Sequence, residues 1–396
     1  MRNLLKLTLA LIGLIVGNGV SRAAETLDVS AAMKTLHSVG PKGAGNAEAA
    51  AVWQKLSHAD AAQLPAILAG LEGANPLAAN WIRSAIDAIA ERELNANRKL
   101  PTAALETFLL DASHDPRGRR LAFEWLIKAD PTARERLLAK MLDDSSLEMR
   151  RDAVAEKVAA ADTLAELPEK KSQAVEVYRV AFKAARDADQ IKSLAEKLKK
   201  LGQPVDLPVH FGFIMEWKLI GPFDNTDKKG YAIAYPPEKE INLLVASEGK
   251  AGPVKWIDYT TSDEFGVVDL NVALTKHMGA VAYAYAEMTV PAARDAEIHL
   301  GCITANKVWC NGQLLFENEA YHTAFEIDQY AGKSRLQPGK NRILVKVCQN
   351  EQTEAWAQDW KFQLRVCDKL GTAILSTDRP PTPKKVAESN DKEGSR

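Results

Sequence analysis

Three stretches carry side chains that could do chemistry together. Tyr321-His322, with Glu319 and Glu326 nearby, is the nearest thing to an acid/base cluster. Asn350-Glu351-Gln352-Thr353-Glu354-Ala355-Trp356 is rich in amides and carries one aromatic ring. Sugar-binding surfaces stack pyranose faces on exposed rings and flank the polar edges with amides and carboxylates. Trp309, which alternates against Val308 and Cys310, points to the opposite face from both and adds a third ring. Trp309, Tyr321, His322, Glu326 and Trp356 are therefore the residues expected to bind a ligand. The competing reading makes Trp309, Trp356 and Trp360 filling for a β-sandwich, with loops that are polar because they are wet. Asp224-Asn225-Thr226-Asp227 could offer oxygen ligands to calcium, with Asp224 and Asp227 as the carboxylates. It lacks EF-hand spacing, and such clusters also simply make turns.

Recognisable catalytic motifs are missing. The sequence contains no nucleophile elbow, zinc HExxH, P-loop or dinucleotide fingerprint. Paired carboxylates at glycosidase separation are not legible in one sequence, so hydrolysis of a polysaccharide by loop carboxylates stays as an alternative.

The elements that would position these loops are strands. Ile298, Leu300 and Cys302 alternate with Glu297, His299 and Gly301. A turn is expected around Ala305-Asn306, then Lys307 to Cys310, an Asn311-Gly312 turn, and Gln313 to Phe316. Leu336-Gln337-Pro338-Gly339-Lys340-Asn341 leads into Arg342 to Val347. Period-two patterning broken by Asn-Gly and Pro-Gly predicts hairpins. Phe211 to Ile220, Val254 to Tyr259, Gly266 to Leu270, Val281 to Val290 and Trp360 to Cys367 also read as strands. Short strands in a single run imply an antiparallel sandwich or jelly roll.

Trp217-Lys218-Leu219-Ile220-Gly221-Pro222-Phe223, Tyr235-Pro236-Pro237-Glu238, Lys307-Val308-Trp309-Cys310-Asn311-Gly312 and Leu336 to Asn341 together resemble a galactose-binding-like β-sandwich. The resemblance implies an accessory module of the kind many glycoside hydrolases carry. That domain type includes sugar binders, protein binders and structural modules, and it brings no catalytic residues.

Cys302, Cys310, Cys348 and Cys367 all fall in the β region and allow three pairings. A hairpin turning near Asn306 would put Cys302 and Cys310 on one face. Cys348 and Cys367 would lie on neighbouring strands but several residues apart, a separation disulfide geometry tolerates poorly.

From about Leu27 to Gly202 the pattern has helical period. Leu64, Ile67, Leu68 and Leu71 form one apolar set, and Trp81, Ile82, Ala85, Ile86 and Ile89 another. Asn75-Pro76, Asp115-Pro116 and Asp130-Pro131 punctuate the connections. Leu110 to Ser113 followed by Arg119-Arg120, Ala122 and Leu126 recurs as Leu142 to Ser145, Arg150-Arg151, Ala153 and Val158, 31 to 32 residues on. This resembles the HEAT-type pattern, in which stacked helix pairs share a core. The chain is also similar, over roughly 100 to 375, to secreted bacterial proteins that join HEAT-like helices to such a sandwich.

At the N-terminus Arg2 and Lys6 precede the apolar run Leu7 to Val16, and Ser21-Arg22-Ala23 suits a signal peptidase cutting before Ala24. The run is too short to span a membrane, so export to the periplasm or beyond is expected, with no integral membrane segment after cleavage. Loss of residues 1–23 removes three of the 51 basic and none of the 52 acidic residues, taking the formal charge from −1 to −4. Nucleic-acid binding needs a basic footprint. The cluster Lys192, Lys197, Lys199, Lys200 interleaves with apolar residues at helical spacing and reads as a solvated face.

The expected architecture is multidomain, α plus all-β: a signal peptide (1–23), a helical array (25–203), a sandwich (208–375) and a disordered tail (376–396). The expected function is a non-catalytic exported binding protein whose sandwich takes a glycan or a partner protein. A purely structural cell-envelope role is a further alternative. No cofactor is expected beyond a structural calcium ion.

Overall fold

Helices begin where the sequence supplies caps. In the computed structural model, which describes residues 27–383, the Asn75 side chain accepts from the N–H groups of Leu77 and Ala78. Pro76 then takes the first position of helix Pro76–Asn95, where its missing N–H is no loss. Asp115 and Ser146 cap Pro116–Ala129 and Leu147–Ala165 likewise. The repeated arginines share a role as well. Arg119 Nε donates to the Leu109 carbonyl at 2.7 Å and Arg150 Nε to that of Asp144 at 3.0 Å, and both arginines are buried. Each satisfies a carbonyl of the segment before its own helix, which is why a long cation recurs at this position. Helix Ala188–Lys200 ends as expected before Gly202, whose φ of 73° is the left-handed conformation of a helix stop.

The chain divides between Pro131 and Thr132 into two compact units. The first is helical, with Leu36, Ile67, Ile82, Ile89, Phe123 and Leu126 in its core. In the second, helices Leu147–Ala165, Lys171–Ala184 and Ala188–Lys200 precede the strands. The expected signal peptide and the last thirteen residues of the expected tail lie outside the described residues.

The strands are β1 (Glu216–Asp224), β2 (Ser247–Gly249), β3 (Gly252–Val254), β4 (Ile257–Thr260), β5 (Val268–Asp269) and β6 (Ala280–Val290), followed by β7 (Arg294–Cys302), β8 (Ala305–Cys310), β9 (Gln313–Asn318), β10 (Tyr330–Leu336), β11 (Gly339–Gln349) and β12 (Lys361–Cys367). They form a six-stranded sheet ordered β4-β1-β6-β11-β8-β9, a four-stranded sheet ordered β10-β7-β12-β5, and a β2-β3 ribbon. Pairing is antiparallel throughout the described sheets. The alternating apolar residues of both sheets, among them Leu219, Ala284, Val345, Ile298, Leu300, Phe362 and Leu364, meet in one core with Trp360. That is a β-sandwich.

Several local expectations change. Asn311 and Gly312 do make the tight hairpin turn joining β8 and β9, with φ of 51° and 81°, as a type I′ turn requires. The other two turns are crossings between sheets. β7 belongs to the four-stranded sheet and β8 to the six-stranded one, so the expected turn at Ala305-Asn306 is the start of β8. Pro338-Gly339 likewise carries the chain from β10 across to β11. Its geometry is fixed by buried Asn341, which accepts from Gln337 N at 2.8 Å and donates to the Gln337 and Gly339 carbonyls. The β7–β8 crossing puts Cys302 and Cys310 in different sheets, the connection from β11 to β12 does the same for Cys348 and Cys367, and all four thiols are free and buried. Phe211, expected in a strand, closes a short helix, Leu207–Phe211, that Asp206 caps and Pro208 starts. The segment from Ser376, expected to be disordered, is hydrogen-bonded where described. Ser376 and Thr377 bond to Thr289, and Arg379 Nη1 donates to the Phe213 carbonyl at 2.7 Å.

Candidate functional site

At one end of the sandwich four chain segments are tied together by a single buried amide. Asn225, fully buried just beyond β1, donates from Nδ2 to the Gln349 carbonyl at 2.9 Å and to the Tyr321 hydroxyl at 3.2 Å. Its backbone N–H reaches the Gly279 carbonyl at 2.8 Å, and Gly279 N reaches the Asn350 carbonyl at 2.7 Å. The loops after β1, before β6, after β9 and after β11 therefore share one frame. Gly230 belongs to it: a Cβ there would lie 2.2 Å from the Asp224 carbonyl and 2.9 Å from Asn225 Oδ1. Only glycine lets the chain pass so close.

Three of the expected ligand residues sit on this frame. The His322 ring meets the Trp356 indole edge-on at 5.2 Å with an interplanar angle of 76°. His322 Nε2 is 3.1 Å from Asn350 Oδ1. Tyr321 is half-buried, and burial pushes its hydroxyl up to about 12 even though the Asn225 bond opposes the shift. Lys228 places its ammonium 5.2 Å from the centre of the Tyr321 ring. Trp356 is 64% exposed. Asp227, Lys228 and His322 all hold positive φ, at 56°, 62° and 58°. Left-handed backbone outside glycine costs on the order of 1–3 kcal/mol per residue and survives only where the surroundings impose it. Here the frame does so, with Asp227 N anchored to Glu351 Oε1 at 2.6 Å.

Trp309 and Glu326 make no ring contact or hydrogen bond with His322 or Trp356 among the described residues, although Trp309 packs against the same buried cluster as Tyr321. Trp309 is half-buried on the outer face of β8, facing Leu344 and Leu314 in register. It stands four residues from Ala305, which is about 13 Å along a strand. Glu326 lies over the outer face of the four-stranded sheet, where its carbonyl closes on Gly301. The expected partnership of Glu326 with His322 gives way to the His322–Asn350 contact. Asp224 and Asp227 each face an ammonium. Asp224 Oδ1 is 3.3 Å from Lys250 Nζ and accepts from Thr226, while Asp227 Oδ2 is 2.9 Å from Lys229 Nζ. Lys250 also donates to the carbonyls of Met278 and Gly279, so an ammonium fills the oxygen cage a cation would need. Among the described residues, no group of three or more His, Cys, Asp or Glu is placed to hold a metal ion.

A second polar cluster went unseen in the sequence. On the outer face of the four-stranded sheet, Arg365 is 3% exposed and grips Asp328 with two bonds of 2.6 Å, while Nη1 reaches the Phe211 and Gly371 carbonyls. His299, its register partner on β7, lies 3.0 Å from Asp328 Oδ1 and 3.1 Å from Glu297 Oε2. The approach to Asp328 is off the N–H direction, since Nδ1 has no aligned hydrogen-bond acceptor, so that contact is chiefly charge on charge. Burial works against a charged imidazole, but Asp328 and the Cys367 sulfur outweigh it and raise His299 to about 10. Burial likewise opposes the Asp328 carboxylate, and His299 with Arg365 overrides it, holding Asp328 at about 2. The Arg365 guanidinium lies 5.8 Å from the centre of the Phe211 ring, and Phe211 and Phe213 share a core with the helices from Leu147 to Lys200. The cluster is a lock between sheet, loop and helices, with every charge partnered. A histidine and an arginine on strands some sixty residues apart carry no local signal of it.

No protein-family model matches the chain, and no curated protein matches it. Solved structures similar to it include an anti-sigma factor domain-containing protein from Clostridium clariflavum, at 11% identity and a TM-score of 0.25, covering 45% of this chain and 50% of that one. A β-glucuronidase from an uncultured Clostridium sp. is 14% identical with a TM-score of 0.25, covering 40% and 29%. A putative β-galactosidase from Bacteroides fragilis is 12% identical with a TM-score of 0.23, covering 39% and 24%. The chain spans half or less of the length of each.

Proposed function

We propose that this chain is an exported, non-catalytic binding protein whose β-sandwich takes a glycan at the loop end built on Asn225. One observation carries the reading: Tyr321, His322 and Trp356, far apart from the frame's Asn225 in sequence, converge on one frame, and the indole stands 64% exposed. An exposed indole beside amides and a carboxylate suits a pyranose, whose face is apolar and whose edge is polar. The helices, read as a HEAT-like array, serve as platform.

Among the described residues, the partners of His322 are the Asn350 amide and the Tyr321 and Trp356 rings. That favours binding over hydrolysis. The test is a glycan array probed with the full chain and with Trp356→Ala. Binding to a defined set of glycans that the substitution abolishes supports the proposal. An array on which neither protein binds anything removes it.

A further inference from the structure

The segment following β12 encloses a cavity that the loop-end reading does not use. From Ile374 to Arg379 the chain straps the two sheets together. Ile374 N bonds to Val366 O on β12, and Thr377 N bonds to Thr289 O on β6. Beneath the strap lies a cavity of about 170 Å³, comparable with the ~150 Å³ apolar cavity that admits benzene. Ile214, Met215, Met288, Val366, Ile374 and Pro381 supply its apolar lining.

Arg379 is the polar group at its wall. Nη1 is spent on the Phe213 carbonyl, but Nε and Nη2 are buried and have no acceptor among the described residues. In a planar guanidinium these two nitrogens lie on one edge and present parallel N–H bonds, the fork that receives a carboxylate with two contacts. The neighbouring acids are mostly committed. Glu287 accepts from Lys340 at 2.8 Å and from Tyr285 at 2.7 Å. Asp378 accepts from Ser376 and from Thr289. Glu216 is exposed, where water screens its charge. Burial pushes the Arg379 guanidinium down from its ordinary value, opposed by Asp206 and Glu216.

We propose that this cavity binds a small apolar carboxylate, gripped side-on by Nε and Nη2 of Arg379 with its hydrocarbon against Met215 and Met288. The ligand class follows from the pairing of one cationic fork, unpartnered among the described residues, with the apolar wall of a space the size of a single ring, whose lining also holds Glu216, Glu287, Ser376 and Asp378. Benzoate is a suitable probe, and benzamide its neutral counterpart.

Calorimetric titration of the full chain is expected to show benzoate saturating at millimolar concentration, about tenfold tighter than benzamide. Arg379→Met should erase that preference. Arg379→Lys keeps the charge without the fork and should erase most of it, which preserves the test if the methionine variant fails to fold. Met288→Trp, filling the cavity, should abolish binding of both probes. Absence of saturable benzoate binding, or equal benzoate affinity in wild type and Arg379→Lys, overturns the proposal.

Discussion

Asn225 and Asp328 show how single side chains hold this sandwich's loops. Asn225 makes two buried bonds with one amide nitrogen. Asn225→Ala is expected to destabilise the chain by about 1–3 kcal/mol, because the Gln349 carbonyl loses its donor; urea unfolding measures it. Asp328 gives a pH dependence at both limbs. Its folded pKa is depressed to about 2, so its contribution is present above the ordinary carboxylate value near 3.9 and lost as pH falls through that range towards 2. His299 is raised to about 10, so its contribution is complete below about 6.5 and lost as pH climbs through 10. Stability should plateau between about pH 4 and pH 6.5 and fall on both sides. Asp328→Asn is expected to flatten both limbs and lower the plateau by about 3–5 kcal/mol, since it strands two buried cations. An unchanged pH profile in that variant would contradict the assignment.

Strands and turns were legible to different degrees. Asn311-Gly312 could be read because a two-residue turn is a local event whose φ values demand those residues. Ala305-Asn306 and Pro338-Gly339 carry similar punctuation, yet which sheet a strand joins is decided by partners far away in the chain. Convergence of the loops after β1, β9 and β11 was hidden for the same reason. Tyr321, His322 and Trp356 could be named from residue type, but their union through Asn225 needs the fold. Trp309 shares a buried cluster with Tyr321 but no ring contact with Trp356, because strand alternation gives a face and no position along it. Two glycines separate turn chemistry from close approach. Gly312 has open space around the Cβ it lacks, whereas Gly230 has a carbonyl at 2.2 Å. Gly312→Ala should cost only the left-handed backbone term, about 1–2 kcal/mol. Gly230→Ala should cost distinctly more and weaken any ligand bound at the loop end. Thermal unfolding of the pair checks the ordering.

At the scale of the molecule, the alternation of helical and strand periods sufficed for the fold class, α plus an antiparallel sandwich. The boundary between compact units, at Pro131/Thr132, was not readable, because helices on both sides have the same composition. Helices from Leu147 to Lys200 share a core with Phe211, Phe213 and Phe265. A fragment starting at 208 is therefore expected to expose that core and self-associate, while one starting at 132 stays monodisperse; sedimentation velocity distinguishes them. In the proposed function the Asn225 frame presents Trp356 to a sugar. Its most direct measurement is a fluorescence titration of the full chain with the strongest glycan from the array, beside Trp356→Ala and Trp309→Ala. Saturable binding is expected, abolished by Trp356→Ala and left within about twofold by Trp309→Ala. Undiminished binding by Trp356→Ala would contradict it.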